Sequence, residues 1–254
     1  MAVYGVDVYH GDGKINWKAL AKKGIQFAYV KVSQGAAFVD PRGIDNIKAA
    51  QDAGIVAGPY HYLWPEGGAV DQYDNFRAVI DRLGGMEGLL LPALDVEGDQ
   101  NNSISPLTAT QYTARAIGWL ILFENEFGVK PVVYTYPSFA QDYIFGRLSA
   151  YPLWASSFTN AGPGFPARFA DWDHSWTFHQ YTTTGKPNPL DIPVADQNIF
   201  NGGIDDLRKL IVTQQTTPIK VVDHNTGRLL EMLQMVKNGW HPEQGKIYVQ
   251  PMAK

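Results

Sequence analysis

The chain has 254 residues, 45% hydrophobic and 18% charged, with a formal net charge of −4. That length supports a large core and the balance is that of a soluble globular protein, while the acidic sign argues against general affinity for nucleic acid or anionic membrane. Cysteine is absent, which removes disulfides, thiolate metal sites and a cysteine nucleophile, and no apolar run approaches the roughly 18–20 residues of a membrane span.

The first residues, Met1-Ala2-Val3-Tyr4-Gly5-Val6-Asp7, lack a basic leader and already read as a strand. The expectation is a product made in the cytoplasm without a signal peptide. Strand patterns lie at 3–9, 27–32, 56–64, 89–97, 131–136, 153–158, 177–181 and 193–200. Helical patterns fill 16–23, 44–53, 70–83 and 106–127, the last with Ser105 placed as N-cap and Pro106 at the first helical position. Gly24, Gly54, Gly84 and Gly128 follow these helices, where a C-terminal glycine belongs. Strands alternating with helical crossovers predict an α/β fold. The connections 161–176 and 182–192 are rich in Gly, Pro and Asn. The prediction is therefore an irregular (β/α) barrel of about eight strands, with fewer helices in its second half.

Composition changes at the polar stretch Thr213-Gln214-Gln215-Thr216-Thr217-Pro218. The domain division drawn from it is a barrel over 1–211 and a small C-terminal α/β appendage over 212–254. Within the appendage, strands at 219–222 and 247–250 would flank a helix at 226–237. It carries five Lys/Arg against three Asp/Glu, which suits either contact with an anionic wall polymer or self-association.

The most informative stretch is Leu89-Leu90-Leu91-Pro92-Ala93-Leu94-Asp95-Val96-Glu97. Strand side chains alternate, so Asp95 and Glu97 point to one side with Cα atoms roughly 6.5–7 Å apart. An isolated D-x-E is ordinarily a strand end turning polar as it meets water. Here it has company. The other predicted strand ends carry Asp7, Lys31, Tyr60, Tyr134, Trp154, Gln180 and Asp196. Four carboxylates from three separated strands, gathered at one mouth, repel each other unless something uses them. Paired carboxylates, one protonated and one charged, are what glycoside hydrolysis needs. The six histidines show no H-E-x-x-H spacing and no glycine-rich phosphate loop appears, so neither a metal nor a nucleotide cofactor is expected.

These segments resemble, in order, the motifs of glycoside hydrolase family 25, the Chalaropsis-type lysozymes. Gly5-Val6-Asp7-Val8-Tyr9-His10-Gly11 with Ile15-Asn16-Trp17 is similar to that family's opening D-V-S-x-x-Q-G…I-D-W. Phe27-Ala28-Tyr29-Val30-Lys31 resembles its second strand, and Gly58-Pro59-Tyr60-His61-Tyr62 its G-x-Y-H-F. Asp95-Val96-Glu97 matches its D-x-E, and Val133-Tyr134-Thr135 its fifth strand. Gln180-Tyr181 and Asp196-Gln197-Asn198-Ile199-Phe200 match the closing Q-Y and D-x-N-x-F. The departures, His10, Gly11-Asp12-Gly13 and Asn16, fall outside the acids and should alter groove contacts only.

The resemblance implies a muramidase that acts on bacterial peptidoglycan, cleaving β-1,4 bonds between N-acetylmuramic acid and N-acetylglucosamine. Without a signal peptide it implies a phage endolysin, acting on the wall after release. Glu97 would be the general acid. Asp95 would stay ionised and orient the substrate's acetamido group, which attacks the anomeric carbon. Asp196 would stabilise the developing positive charge or act as nucleophile, and Asp7 would hold Asp95 or the substrate. Tyr60, Tyr134 and Trp154 would form sugar-facing walls. Lys31 would meet a substrate carboxylate or an ordinary ion-pair partner, and Gln180 would contact substrate. His61 reads as a strand-end histidine satisfied within the fold. Two other readings stand beside this one. A chitinase-like hydrolase would carry further aspartates upstream, where Pro92-Ala93-Leu94 stands. A non-catalytic glycan-binding barrel would gain little from crowded acids.

Overall fold

The computed structural model describes residues 2–213, except 145, 160, 170, 171 and 173–175. The predicted appendage elements beyond 213 lie outside the described residues. Nine strands form one sheet. In chain order they are β1 (Val3–Val8), β2 (Ile25–Gln34), β3 (Phe38–Val39), β4 (Val56–Tyr62), β5 (Ala93–Asp95), β6 (Val132–Thr135), β7 (Leu153–Ser156), β8 (Phe178–Thr182) and β9 (Gln197–Phe200). Eight of them close into a barrel in the order β1-β9-β8-β7-β6-β5-β4-β2, sealed by the β1–β2 pair. β3 is a two-residue addition, antiparallel to β2.

Neighbours from β1 and β2 through β8 pair in parallel, and β9 alone runs antiparallel to both of its neighbours. This reversal has a direct consequence. The N-terminal end of β9, not its C-terminal end, reaches the barrel mouth, and Asp196 immediately precedes it.

Helices α1 (Trp17–Lys22), α2 (Gly43–Asp52), α3 (Ala69–Leu83) and α4 (Ala109–Phe127) cover the outside of the first half. The second half keeps only α5 (Pro137–Phe139), a π turn at Ala140–Ile144 and α6 (Ile204–Arg208) among the described residues. α4 starts three residues later than Ser105-Pro106 suggested. Its cap is Thr108, whose hydroxyl accepts from the Gln111 amide while Gln111 Oε1 accepts from the Thr108 amide at 2.9 Å. This reciprocal box satisfies two otherwise unpaired donors, and Pro106 sits in the preceding turn behind a cis bond. The predicted strand 89–97 is shortened for a similar reason. Pro92 has no N–H to give, and Leu89 and Leu91 bond instead to Val212 and Leu210. No described helix is long and apolar enough to cross a membrane.

Period-two alternation divides each strand between two cores. Val6, Val8, Ala28, Val30, Val32, Leu94 and Val96 face the helix layer with Trp119 and Phe123. Phe27, Tyr29, Tyr60, Ala93, Tyr134, Trp154 and Phe178 fill the barrel interior. The inward register continues past the aromatic floor to Asp7, Lys31, Asp95 and Glu97 at the mouth.

Candidate active site

A cleft of about 670 Å³ opens at this mouth. All nine residues singled out from the sequence line it: Asp7, Lys31, Tyr60, Asp95, Glu97, Tyr134, Trp154, Gln180 and Asp196. Tyr9, Tyr62, Asn102, Tyr136, Ser156 and Phe158 line it too. Of these, Tyr62 was legible, since it follows Tyr60 by two residues on β4. Asn102 and Phe158 sit on loops, where no periodicity points.

The sides of the cleft are held by one polar network. Gln180 Nε2 donates to both carboxylate oxygens of Asp7, at 2.9 and 3.0 Å. Gln180 Oε1 accepts from the Tyr134 hydroxyl at 2.9 Å and the Ser156 hydroxyl at 3.0 Å. Asn198 Nδ2 donates to Asp7 at 2.6 Å, and Asn198 Oδ1 accepts from Trp154 Nε1 at 2.7 Å. Gln180 is thus occupied in positioning Asp7. Trp154 is a floor residue rather than an open wall: only 2% exposed, it stacks on Tyr29 at 4.5 Å and meets Tyr134 edge-on at 4.7 Å. Lys31 donates to Gln34 at 2.6 Å and lies 4.4 Å over the Tyr62 ring. His61 is buried between Ser33 Oγ at 2.8 Å and Gln72 Oε1 at 3.3 Å, and burial drives it down to about 3, so it is neutral and structural.

Every acid in the cleft is harder to ionise than in water. Burial raises Asp7 to about 6, against the opposing bonds from Asn198 and Gln180. Burial, then the charges of Asp7, Asp12 and Glu97, push Asp196 up to about 8. Asp95 is raised well above the carboxylate range by burial and by Glu97, with Lys31 pulling back. Its Oδ1 is buried without a hydrogen-bond partner. Glu97, less deeply placed, is raised by burial and Asp7, and held back by the Tyr62 hydroxyl and Lys31. Asp95, expected to stay ionised, is thus itself raised by its burial and by the Glu97 charge. Two adjacent carboxyls of this kind resist being charged together.

The model of the glycosyl hydrolases family 25 matches residues 6–189. The chain belongs to family 25. The match takes in Asp7, Asp95 and Glu97, and Asp196 lies just past its end. Among sequence relatives, Lysozyme M1 of Streptomyces globisporus is 29% identical over 209 residues, covering 79% of this chain and 68% of that protein. The YegX protein of Escherichia coli K12 is 28% identical over 221 residues, 85% of this chain and 76% of the other. Among solved structures, a family 25 glycosyl hydrolase from Bacillus anthracis superposes with a TM-score of 0.71 at 26% identity, covering 82% of this chain and 93% of that one. A bacterial lysozyme from Streptomyces coelicolor gives 0.72 at 26% identity, covering 84% and 99%. The family 25 barrel is the fold observed, and this chain is a glycoside hydrolase.

Proposed function

We propose that the enzyme is a peptidoglycan N-acetylmuramidase, cutting the β-1,4 bond between N-acetylmuramic acid and N-acetylglucosamine, with Glu97 as general acid. The observation that carries this reading is the Asp95–Glu97 pair: one carboxyl at the end of β5 and one two residues beyond it, both raised by burial, opening into one cleft. Relatives named Lysozyme M1 and autolytic lysozyme support the substrate class.

A sugar seated over Glu97 strips its remaining water and favours its protonated form, where the leaving oxygen needs the proton. Asp95, as the charged partner, orients the acetamido N–H while the acetamido oxygen attacks the anomeric carbon. Glu97 gives its proton to the departing oxygen. It then takes one from the water that opens the cyclic intermediate, so configuration is retained. This substrate-assisted route fits the site better than attack by Asp196, because a carboxyl raised to about 8 is protonated at neutral pH. Asp7, clamped by Gln180 and Asn198, keeps the mouth negative beside the developing oxocarbenium charge.

The test is digestion of purified peptidoglycan, borohydride reduction and mass spectrometry, with Glu97→Gln in parallel. Muramitol ends are expected from the wild type, and the variant should lose about 10²–10⁴-fold in turnover. Glucosaminitol ends would mean the other glycan bond is cut. Near-normal turnover in Glu97→Gln would remove Glu97 from its role, and glycan binding without any product would make the barrel a binding module.

A further inference from the structure

Three aromatic side chains stand in a row on the rim of the cleft. Tyr9 is 41% and Phe38 42% exposed, and the His10 side chain 41%. The Tyr9 and His10 rings meet edge-on at 5.2 Å, and His10 and Phe38 tilt together at 5.6 Å. Tyr9 also lines the cleft, so the row continues it outward over β1, β2 and β3. Contiguous exposed aromatics beside a binding cleft mark a contact surface more often than scattered ones do.

The row is held in place from beneath. The His10 backbone N–H and its ring Nδ1 both bond Asp40 Oδ2, at 3.0 and 2.8 Å. The Asp40 side chain is fully buried, and its other oxygen accepts from the Arg42 amide at 2.9 Å. The Tyr9 amide donates to Asp12 at 2.8 Å. A Cβ on Gly11 would stand 2.3 Å from the Tyr9 ring, so the glycine lets that ring fold over the turn.

This arrangement selects a ligand. Asp12 and Asp40 beneath the row repel anions, so phosphate-rich polymers and carboxylate-bearing sugars fit poorly. With Nδ1 engaged by Asp40, the His10 ring leaves Nε2 for a polar group of the ligand. Flat apolar rings with one such polar nitrogen match the C–H face and the acetamido group, N–H or C=O, of a neutral N-acetylated sugar. We propose that Tyr9, His10 and Phe38 form a distal subsite for an N-acetylglucosamine unit of the glycan strand, beyond the sugars at the scissile bond. In strands freed of stem peptides, its lactyl-bearing neighbour would set a carboxylate against Asp12 and Asp40. Across the mouth, Phe158 after β7 is 58% exposed and lines the cleft. Since β7 lies opposite β2 in the barrel order, a strand crossing the cleft meets an aromatic at each rim.

The subsite rests on the muramidase reading, and its test keeps the two apart. On the full chain, kcat/KM is measured for long glycan strands freed of stem peptides and for a tetrasaccharide with one scissile bond. Phe38→Ala should lower the long-to-short ratio by about tenfold, the scale of one lost ring contact. Phe38→Trp, which keeps a flat ring, should restore it. An unchanged ratio overturns the subsite. Separately, tetra-N-acetylchitotetraose is titrated calorimetrically onto wild type and Phe38→Ala. Weaker binding to the folded variant supports the subsite even if the wild type yields no muramitol ends, a result that would defeat the muramidase reading alone. Equal binding to both overturns the subsite.

Discussion

Neutralising Asp196 should stabilise the protein, increasingly so at higher pH. Burial and the neighbouring Asp7, Asp12 and Glu97 raise its carboxyl from 3.8 to about 8. A carboxyl raised on folding contributes stability that is complete below its unfolded value and is lost as the pH rises through its folded value. The window therefore runs from about pH 4 to about pH 8. Four units at ~1.36 kcal/mol each set a ceiling of roughly 5–6 kcal/mol for a dry site. Asp196 is only partly buried, water at the mouth screens it, and its penalty is shared with Asp7. The expected gain for Asp196→Asn is therefore ~1–2 kcal/mol at about pH 9. For a domain of this size that is a rise of about 3–6 °C in Tm. Calorimetric scans of wild type and variant, side by side from about pH 4 to about pH 9, read it directly. The two should nearly coincide in acid and separate through neutrality. His61 acts in the opposite sense: its pKa falls from 6.5 to about 3 on folding. Its contribution is present above 6.5 and fades as the pH falls toward 3, but it is common to both proteins and cancels in the difference. A variant no more stable than wild type in alkali, or a gap widest in acid, would refute the account of the crowded acids.

Two further outcomes follow from the barrel itself. Gly5→Ala sets a methyl 2.5 Å from the Phe27 ring, which is fully buried and packed on Phe178 at 5.2 Å. It should cost ~1–3 kcal/mol, seen as a lower urea midpoint at unchanged m-value, and a neutral variant would contradict that packing. A chain ending at Thr213 retains Val212, whose amide bonds the Leu89 carbonyl at 2.8 Å and whose carbonyl takes the Gly88 amide at 2.8 Å. Its melting should remain cooperative while its retention on insoluble wall falls. Loss of cooperative melting would assign the tail to the fold, and unchanged retention would deny it a wall contact.

The D-x-E pair was legible in the sequence because strand alternation is a local rule: once Leu94 and Val96 face the helices, Asp95 and Glu97 must face inward. The parallel first half was legible for the same kind of reason, since apolar strands separated by helical periods admit few other arrangements. What lies between distant segments was not. That β9 runs antiparallel, so that Asp196 reaches the mouth from an N-terminal end, depends on how the barrel closes. The clamp on Asp7 joins residues 173 and 191 positions away, Gln180 and Asn198, and no local pattern encodes it. Trp154 read equally well as wall or core, and only its stacking on Tyr29 made it floor. Phe38 lies in a strand of two residues, too short for any period to show, and its alignment with Tyr9 and His10 comes from β2 carrying it to the rim. Residue type and alternation determined which groups enter the barrel, because those depend on neighbours in the chain. Tertiary structure alone decided their depth, their partners and so their charge, because desolvation and hydrogen bonding depend on neighbours in space.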